Sequence, residues 1–163
     1  LGFLDPRFTA PHTHVEYDLN SAIDRDSWPQ AGAFDWILMG EVIEHLQIPP
    51  APVLSGLARY LEPGAVLLLQ TPNAVNLSKR LRMLRGLHPY EPLRESRGNP
   101  GHIREYTADE LRALASPCGF ALDDLRMENY FGGDSGLRWL YHRLCRILPG
   151  EFGDGITVVY RKQ

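Results

Sequence analysis

The densest apolar stretch of the chain runs from Phe34 to Met39, FDWILM, interrupted only by Asp35 and free of turn residues. An apolar run of this length without alternation predicts a strand buried on both faces, as at the centre of a parallel sheet. Gly40 breaks the run, and Glu41, Glu44 and His45 follow at i, i+3 and i+4. That spacing puts three polar groups on one face of the first turn of a helix. After the prolines at 49, 50 and 52, Val53, Leu54, Leu57, Ala58 and Leu61 recur with helical period, and Gly64 behind Pro63 closes the helix. Residues 65–69 form a second wholly apolar strand that ends in Gln70-Thr71-Pro72-Asn73. Strand, helix and strand with short connections predict a parallel α/β sheet with right-handed crossovers. Ligands bind such sheets at the carboxyl edge of the strands, where the Glu-Glu-His turn falls.

The flanks are shorter signals. Residues 1–5 read as the end of a strand closing on Asp5, and residues 14–19 alternate loosely towards Asp18-Leu19-Asn20, a second strand end with an acid. Leu77, Leu81 and Leu84 mark one face of a helix whose remainder carries Lys79, Arg80, Arg82 and Arg85, and Gly86 stops it. Residues 87–100 are rich in Pro, Gly, Arg and Glu, a loop long enough to be functional. Thr107 and Glu110 form a capping box for a helix over 108–116. A strand near 121–125 and a β-branched strand over 156–160 are expected to pair as a hairpin. Between them, Leu137, Leu140, Tyr141, Leu144, Ile147 and Leu148 give an amphipathic helix with Arg138, Arg143 and Arg146 outside, to pack on the sheet or on a second subunit.

Composition narrows the classes. The 163 residues, 44% hydrophobic and 23% charged, suit one globular domain with a real core. A formal charge of −3 exerts no global pull on nucleic acid or anionic membrane. Cys118 and Cys145 have no metal-type spacing, so free thiols in a reducing compartment are expected. No apolar run reaches the roughly 20 residues of a membrane span, and no signal segment opens the chain. A cytoplasmic protein is the expectation. The chain opens at Leu1 with a strand already under way, so further sequence is expected upstream.

Three blocks, FDWILMGEVIEHL, LEPGAVLLLQTPN and GHIREYTADELRALASPCGF, together resemble the class I S-adenosylmethionine-dependent methyltransferases. The resemblance implies a Rossmann-like sheet, mostly parallel with an antiparallel last strand, and covers residues 18 to the C-terminus. It places residues 1–5 at the end of the second family strand. The family's glycine-rich loop after the first strand has no counterpart, so the first β-α-β portion is expected to be lacking. S-adenosylmethionine is the implied cofactor, with Asp5 on the ribose, Asp18 and Leu19 on the adenine, and Gly40 and Glu41 beside the methionine moiety. Asp5 reads equally as a turn or capping residue. Specificity would lie in an insertion at about 74–106.

Glu41-Val-Ile-Glu44-His45 with His102 is further similar to the metal-dependent O-methyltransferases, among them small-RNA 2′-O-methyltransferases and ubiquinone-biosynthesis enzymes. The similarity implies that Glu41, Glu44, His45 and His102 hold a divalent cation, with His45 and His102 catalytic. Two carboxylates and two imidazoles suit Mn²⁺, Fe²⁺, Co²⁺ or Zn²⁺, with Mg²⁺ also admissible. The alternative is that the first glutamate contacts the cofactor region, His45 caps or packs, and His102 is a lone general base. Asn73 and Tyr106 either line the pocket or pack; His88 and His142 are surface residues, and His12 and His14 are solvated. The implied activity is methylation of a hydroxyl on a small molecule, glycan or lipid precursor. Two alternatives stand beside it: RNA 2′-O-methylation through Lys79, Arg80, Arg82 and Arg85, and a non-catalytic methyltransferase-like subunit. The same basic helix could also rest on an anionic membrane.

Overall fold

The computed structural model describes residues 14–96, 100–129 and 152–163. Asp5, the strand expected over 1–5, His12, and the helix expected over 137–148 with His142 and Cys145 lie outside the described residues. Four strands and three helices follow in the order β1 (Phe34–Gly40), α1 (Pro50–Ala58), β2 (Leu61–Pro72), α2 (Leu77–Leu84), α3 (Ala108–Leu114), β3 (Phe120–Glu128) and β4 (Gly155–Lys162). The sheet order is β1-β2-β4-β3, with β1 and β2 parallel and β4 antiparallel to both of its neighbours. The mixed α/β architecture with an antiparallel last strand is therefore the expected one, and β3 and β4 pair as anticipated.

The core forms where apolar periodicity meets this sheet. Leu67 and Leu69 of β2, Ile156, Val158 and Tyr160 of β4, and Phe120 of β3 are fully or almost fully buried with Val53 and Leu54 of α1 and Leu111 of α3. The Tyr160 hydroxyl donates to the Leu111 carbonyl at 2.6 Å, pinning α3 to β4. Pro50 opens α1 at a position where a missing N–H costs nothing. The capping box of α3 is present: Thr107 Oγ1 accepts from the Glu110 N–H, and the Glu110 carboxylate accepts from the Thr107 N–H. No helix of the described residues is long and apolar enough to cross a membrane.

Several expectations are corrected. The helix after the prolines ends at Ala58, and Leu61 opens β2. The Tyr60 N–H closes a last turn on the Leu57 carbonyl, and the Tyr60 carbonyl accepts from Phe34 N–H, which draws the chain into the sheet three residues before Gly64. β1 is not buried on both faces: Trp36 is 62% and Leu38 73% exposed, while Ile37 and Met39 face the core. Among the described residues β1 has β2 as its only neighbour. Residues 14–19 form no strand, because Asp18 instead caps a 3₁₀ turn over Leu19–Ser21 by accepting from the Asn20 N–H at 2.9 Å. The helix over 108–116 stops at Leu114, and Pro117 directs a 3₁₀ turn over Ser116–Cys118. Gly119 then leaves it at φ 85°, a left-handed conformation that glycine adopts without strain. Finally, no α-helix starts directly after Gly40. Glu41 takes φ 54°, and a single 3₁₀ turn spans Ile43–His45 before Pro49.

Candidate active site

The parallel register of β1 and β2 ends at Gly40 opposite Gln70, and the Glu41 N–H continues it by donating to the Gln70 carbonyl at 2.9 Å. The 3₁₀ turn then carries Glu44 inward. Its side chain is fully buried, and Oε2 accepts from the Thr71 hydroxyl of β2 at 2.9 Å. Oε1 has no hydrogen-bond partner and lies 3.9 Å from His45 Nε2. The Glu44 carbonyl accepts from the N–H groups of Ile103 and Arg104, at 2.8 and 3.2 Å. One residue thus ties the strand edge to the loop that carries His102.

Both imidazoles are oriented from behind. His45 Nδ1 lies 2.9 Å from the Gly101 carbonyl. A carbonyl only accepts, so Nδ1 bears the proton and Nε2 of the neutral ring keeps a lone pair. His102 Nδ1 lies 3.0 Å from Glu105 Oε1, with the same consequence. The two rings stand edge to face at 5.1 Å. Glu105 is itself held by an ion pair with Lys79, both side chains being largely buried, and Lys79 Nζ also donates to the Asn73 carbonyl at 2.8 Å. Lys79 belongs to the first turn of α2, where Asn76 caps the helix by accepting from the Lys79 N–H.

Glu44, His45 and His102 each offer one ligand atom within 4.8 Å of the others. The Glu41 carboxyl stands beside them and is pushed up to about 7, first by burial and then by the charge of Glu44. A cavity of about 550 Å³ opens against His45 and His102, walled by Lys79, Arg82, Tyr90 and Glu105. That volume is in the range of small-molecule sites.

The structure therefore brings together Glu44, His45 and His102, with Glu41 next to Glu44. Gly40 sits at the strand end directly before them. Asp18 and Leu19 occupy the 3₁₀ turn whose Asn20 side chain accepts from Gln47 N–H at 2.7 Å, two residues past His45. Asn73 and Tyr106 pack rather than line the cavity: both are buried and they pair with each other as an isolated bridge. His88 is exposed and meets the Tyr90 ring, as expected of a surface residue. Sequence reasoning missed Glu105, Lys79 and Thr71. Glu105 stands at i+3 from His102, a spacing open to reading; Lys79 was hidden among the arginines of its helix.

The profile of a family described as a methyltransferase domain matches residues 4–125. The chain belongs to this methyltransferase family. A probable S-adenosylmethionine-dependent methyltransferase of Mycolicibacterium smegmatis is 36% identical over 90 residues, which are 55% of this chain and 30% of that protein. Among solved structures, a SAM-dependent methyltransferase from Archaeoglobus fulgidus superposes with a TM-score of 0.55 at 16% identity, over 91% of this chain and 66% of that one. A SAM-dependent methyltransferase from Thermotoga maritima, described as a possible histamine N-methyltransferase, gives 0.53 at 18% identity, over 80% and 57%. The chain thus spans about a third of the curated relative and somewhat under two thirds of these structures. The Glu-Glu-His turn lies just past the carboxyl end of β1, the edge at which open α/β sheets bind ligands.

Proposed function

We propose that the protein transfers the methyl group of S-adenosylmethionine to a hydroxyl oxygen held in the cavity beside His45 and His102, with a divalent cation held by Glu41, Glu44, His45 and His102. The observation that carries this reading is the convergence of Glu44, His45 and His102, each offering one ligand atom within 4.8 Å of the others, with the Glu44 carboxylate fully buried among them. A buried carboxylate oxygen left without a partner is costly. A cation would satisfy all three residues at once; the Glu41 carboxyl beside them is raised first by its burial and then by the Glu44 charge. The residues therefore fit the group.

When bound, such a cation lowers the pKa of a coordinated hydroxyl. The chain's own part is to orient. Thr71 holds Glu44, Gly101 holds His45, and Glu105 holds His102. Attack of the acceptor oxygen on the sulfonium methyl forms the C–O bond and breaks the C–S bond. The products are the methyl ether and S-adenosylhomocysteine, and the hydroxyl proton passes to solvent. Gly40 and Glu41 would meet the methionine moiety, Asp18 and Leu19 the adenine and Asp5 the ribose, an assignment that rests on family resemblance.

A second reading uses the same atoms without a metal. Because Glu105 accepts a hydrogen bond from His102 Nδ1, Nε2 of the neutral ring keeps its lone pair and would serve as the general base that receives the hydroxyl proton directly. Titration calorimetry of the intact protein with S-adenosylhomocysteine, then with Mn²⁺, separates the readings. Binding of both, with Mn²⁺ binding lost in Glu44→Ala, supports the first. Binding of S-adenosylhomocysteine alone leaves the general-base reading, and binding of neither favours a non-catalytic subunit.

A further inference from the structure

Helix α2 departs from the pattern of a packed surface helix. Its apolar stripe, Leu77, Leu81 and Leu84, should cover core. Instead Leu81 is 44% and Leu84 83% exposed. Met83 in the helix and Leu87 and Leu93 in the loop behind it are also each at least half exposed. Monomeric surfaces tolerate single exposed leucines, whereas contiguous patches mark an interaction site.

The charges around the patch identify the partner. Arg85 flanks the leucine stripe on one side, while Arg80 on the other is half-buried, donating to the Val75 carbonyl and stacking on the Phe152 ring. Residues 76–90 contain Lys79, Arg80, Arg82 and Arg85 and not one acid, although the chain as a whole carries −3. Lys79 is turned inward to Glu105, while Arg82 and Arg85 are exposed and pair with no acid among the described residues. Apolar side chains bordered by cations, on a helix too short and too polar to insert across a bilayer, match the chemistry of an interface with anionic lipid headgroups. A nucleic-acid contact would use the cations and leave the leucines unexplained.

The patch also adjoins the cavity. Ser78, Lys79 and Arg82 of the same helix, with Tyr90 and Pro92 of the following loop, form one of its walls. We infer that the exposed face of α2 and the loop behind it seats on an anionic bilayer, and that the methyl acceptor is a hydroxyl carried by an amphiphile at that surface. The acceptor class rests on the hydroxyl-methylation reading above; the membrane contact does not.

The test is sedimentation of the intact protein with vesicles of phosphatidylcholine alone and of equimolar phosphatidylcholine and phosphatidylglycerol. Binding is expected to the anionic vesicles only, and to weaken as salt is raised. Leu81→Ser with Leu84→Ser should weaken it roughly tenfold or more, and Arg85→Gln about fivefold. S-adenosylhomocysteine binding of each variant checks that the fold is kept. Vesicle binding needs no turnover, so loss of methyl transfer with vesicle binding retained would sink only the function reading. Absence of binding to anionic vesicles overturns the inference. So does binding indifferent to the two leucines, or a dimer that the double substitution splits into monomers.

Discussion

The ion pair between Lys79 and Glu105 is the joint on which the candidate site turns, and Lys79→Met tests it. The Glu105 side chain is 6% and the Lys79 side chain 14% exposed, so the pair is largely out of water. Removing the lysine leaves a buried carboxylate whose remaining described partner is His102 Nδ1 at 3.0 Å, and also strips a donor from the Asn73 carbonyl. Breaking a buried pair from one side costs about 3–5 kcal/mol. Retention of the histidine hydrogen bond moderates this, and about 3 kcal/mol is expected. Glu105→Gln should cost about 2 kcal/mol, since the amide keeps some hydrogen bonding. The double variant removes both charges and should cost no more than Lys79→Met alone, giving a coupling energy of about 2 kcal/mol. Urea unfolding of the four proteins, followed by tryptophan fluorescence, measures it. A Lys79→Met cost below about 1 kcal/mol, or additive singles within about 0.5 kcal/mol, would refute the argument. Glu105→Gln should also weaken Mn²⁺ binding by about 10–100-fold, because the hydrogen bond behind a ligating imidazole sets its orientation.

Three other outcomes follow from local structure. The Glu41 carboxyl is raised to about 7 from its ordinary 4.5, so the folded state binds the extra proton and metal-free stability should fall as pH rises from about 4.5 through 7. The loss is about 1 kcal/mol after allowance for solvent screening; Glu44→Gln should flatten the slope without abolishing it, and identical urea midpoints against pH in both proteins would be the contrary result. A methyl group at Gly56 would meet the Trp28 ring at 1.9 Å, and that ring is held between Tyr17 and Tyr60. Gly56→Ala should therefore cost about 2–3 kcal/mol in thermal or urea unfolding, with no change showing that the ring is free to move. Burial pushes the Cys118 thiol up and covers it, so iodoacetamide at neutral pH should leave it unmodified in the native protein and label it fully in urea, as read by peptide mass spectrometry.

How much of this was legible in the sequence differs between fold and site. The apolar runs around Leu38 and Leu67 announced parallel strands, and the Thr107–Glu110 spacing announced the start of α3, because each signal is local and periodic. Burial of β1 was misjudged for a non-local reason: an apolar run records what a strand can tolerate on both faces, and Trp36 and Leu38 have no described element over them. The turn after Gly40 was misread for a geometric one. The i, i+3, i+4 spacing presumes an α-helix, yet Glu41 at φ 54° and the single 3₁₀ turn behind it deliver Glu44 inward rather than along a helix face. Glu44 and His45 still converge with His102, because the convergence depends on the loop that returns to them.

That return is the structural core of the site. Gly101, Ile103 and Arg104 all bond to the Glu44-His45 turn, two of them through the Glu44 carbonyl. The backbone of the insertion is thereby fixed to the strand edge on both sides of His102. Its side chain is set by Glu105, Glu105 by Lys79, and Lys79 by the cap of α2. A chain of contacts thus runs from the buried carboxylate to the helix whose outer face is exposed. Anything that shifts α2 on its support acts on His102 through two side chains, while Glu44, anchored by Thr71 on β2, stays with the sheet. Seating α2 on a surface would therefore reach the His102 ring only through Lys79 and Glu105, against a backbone that stays bonded to the Glu44-His45 turn.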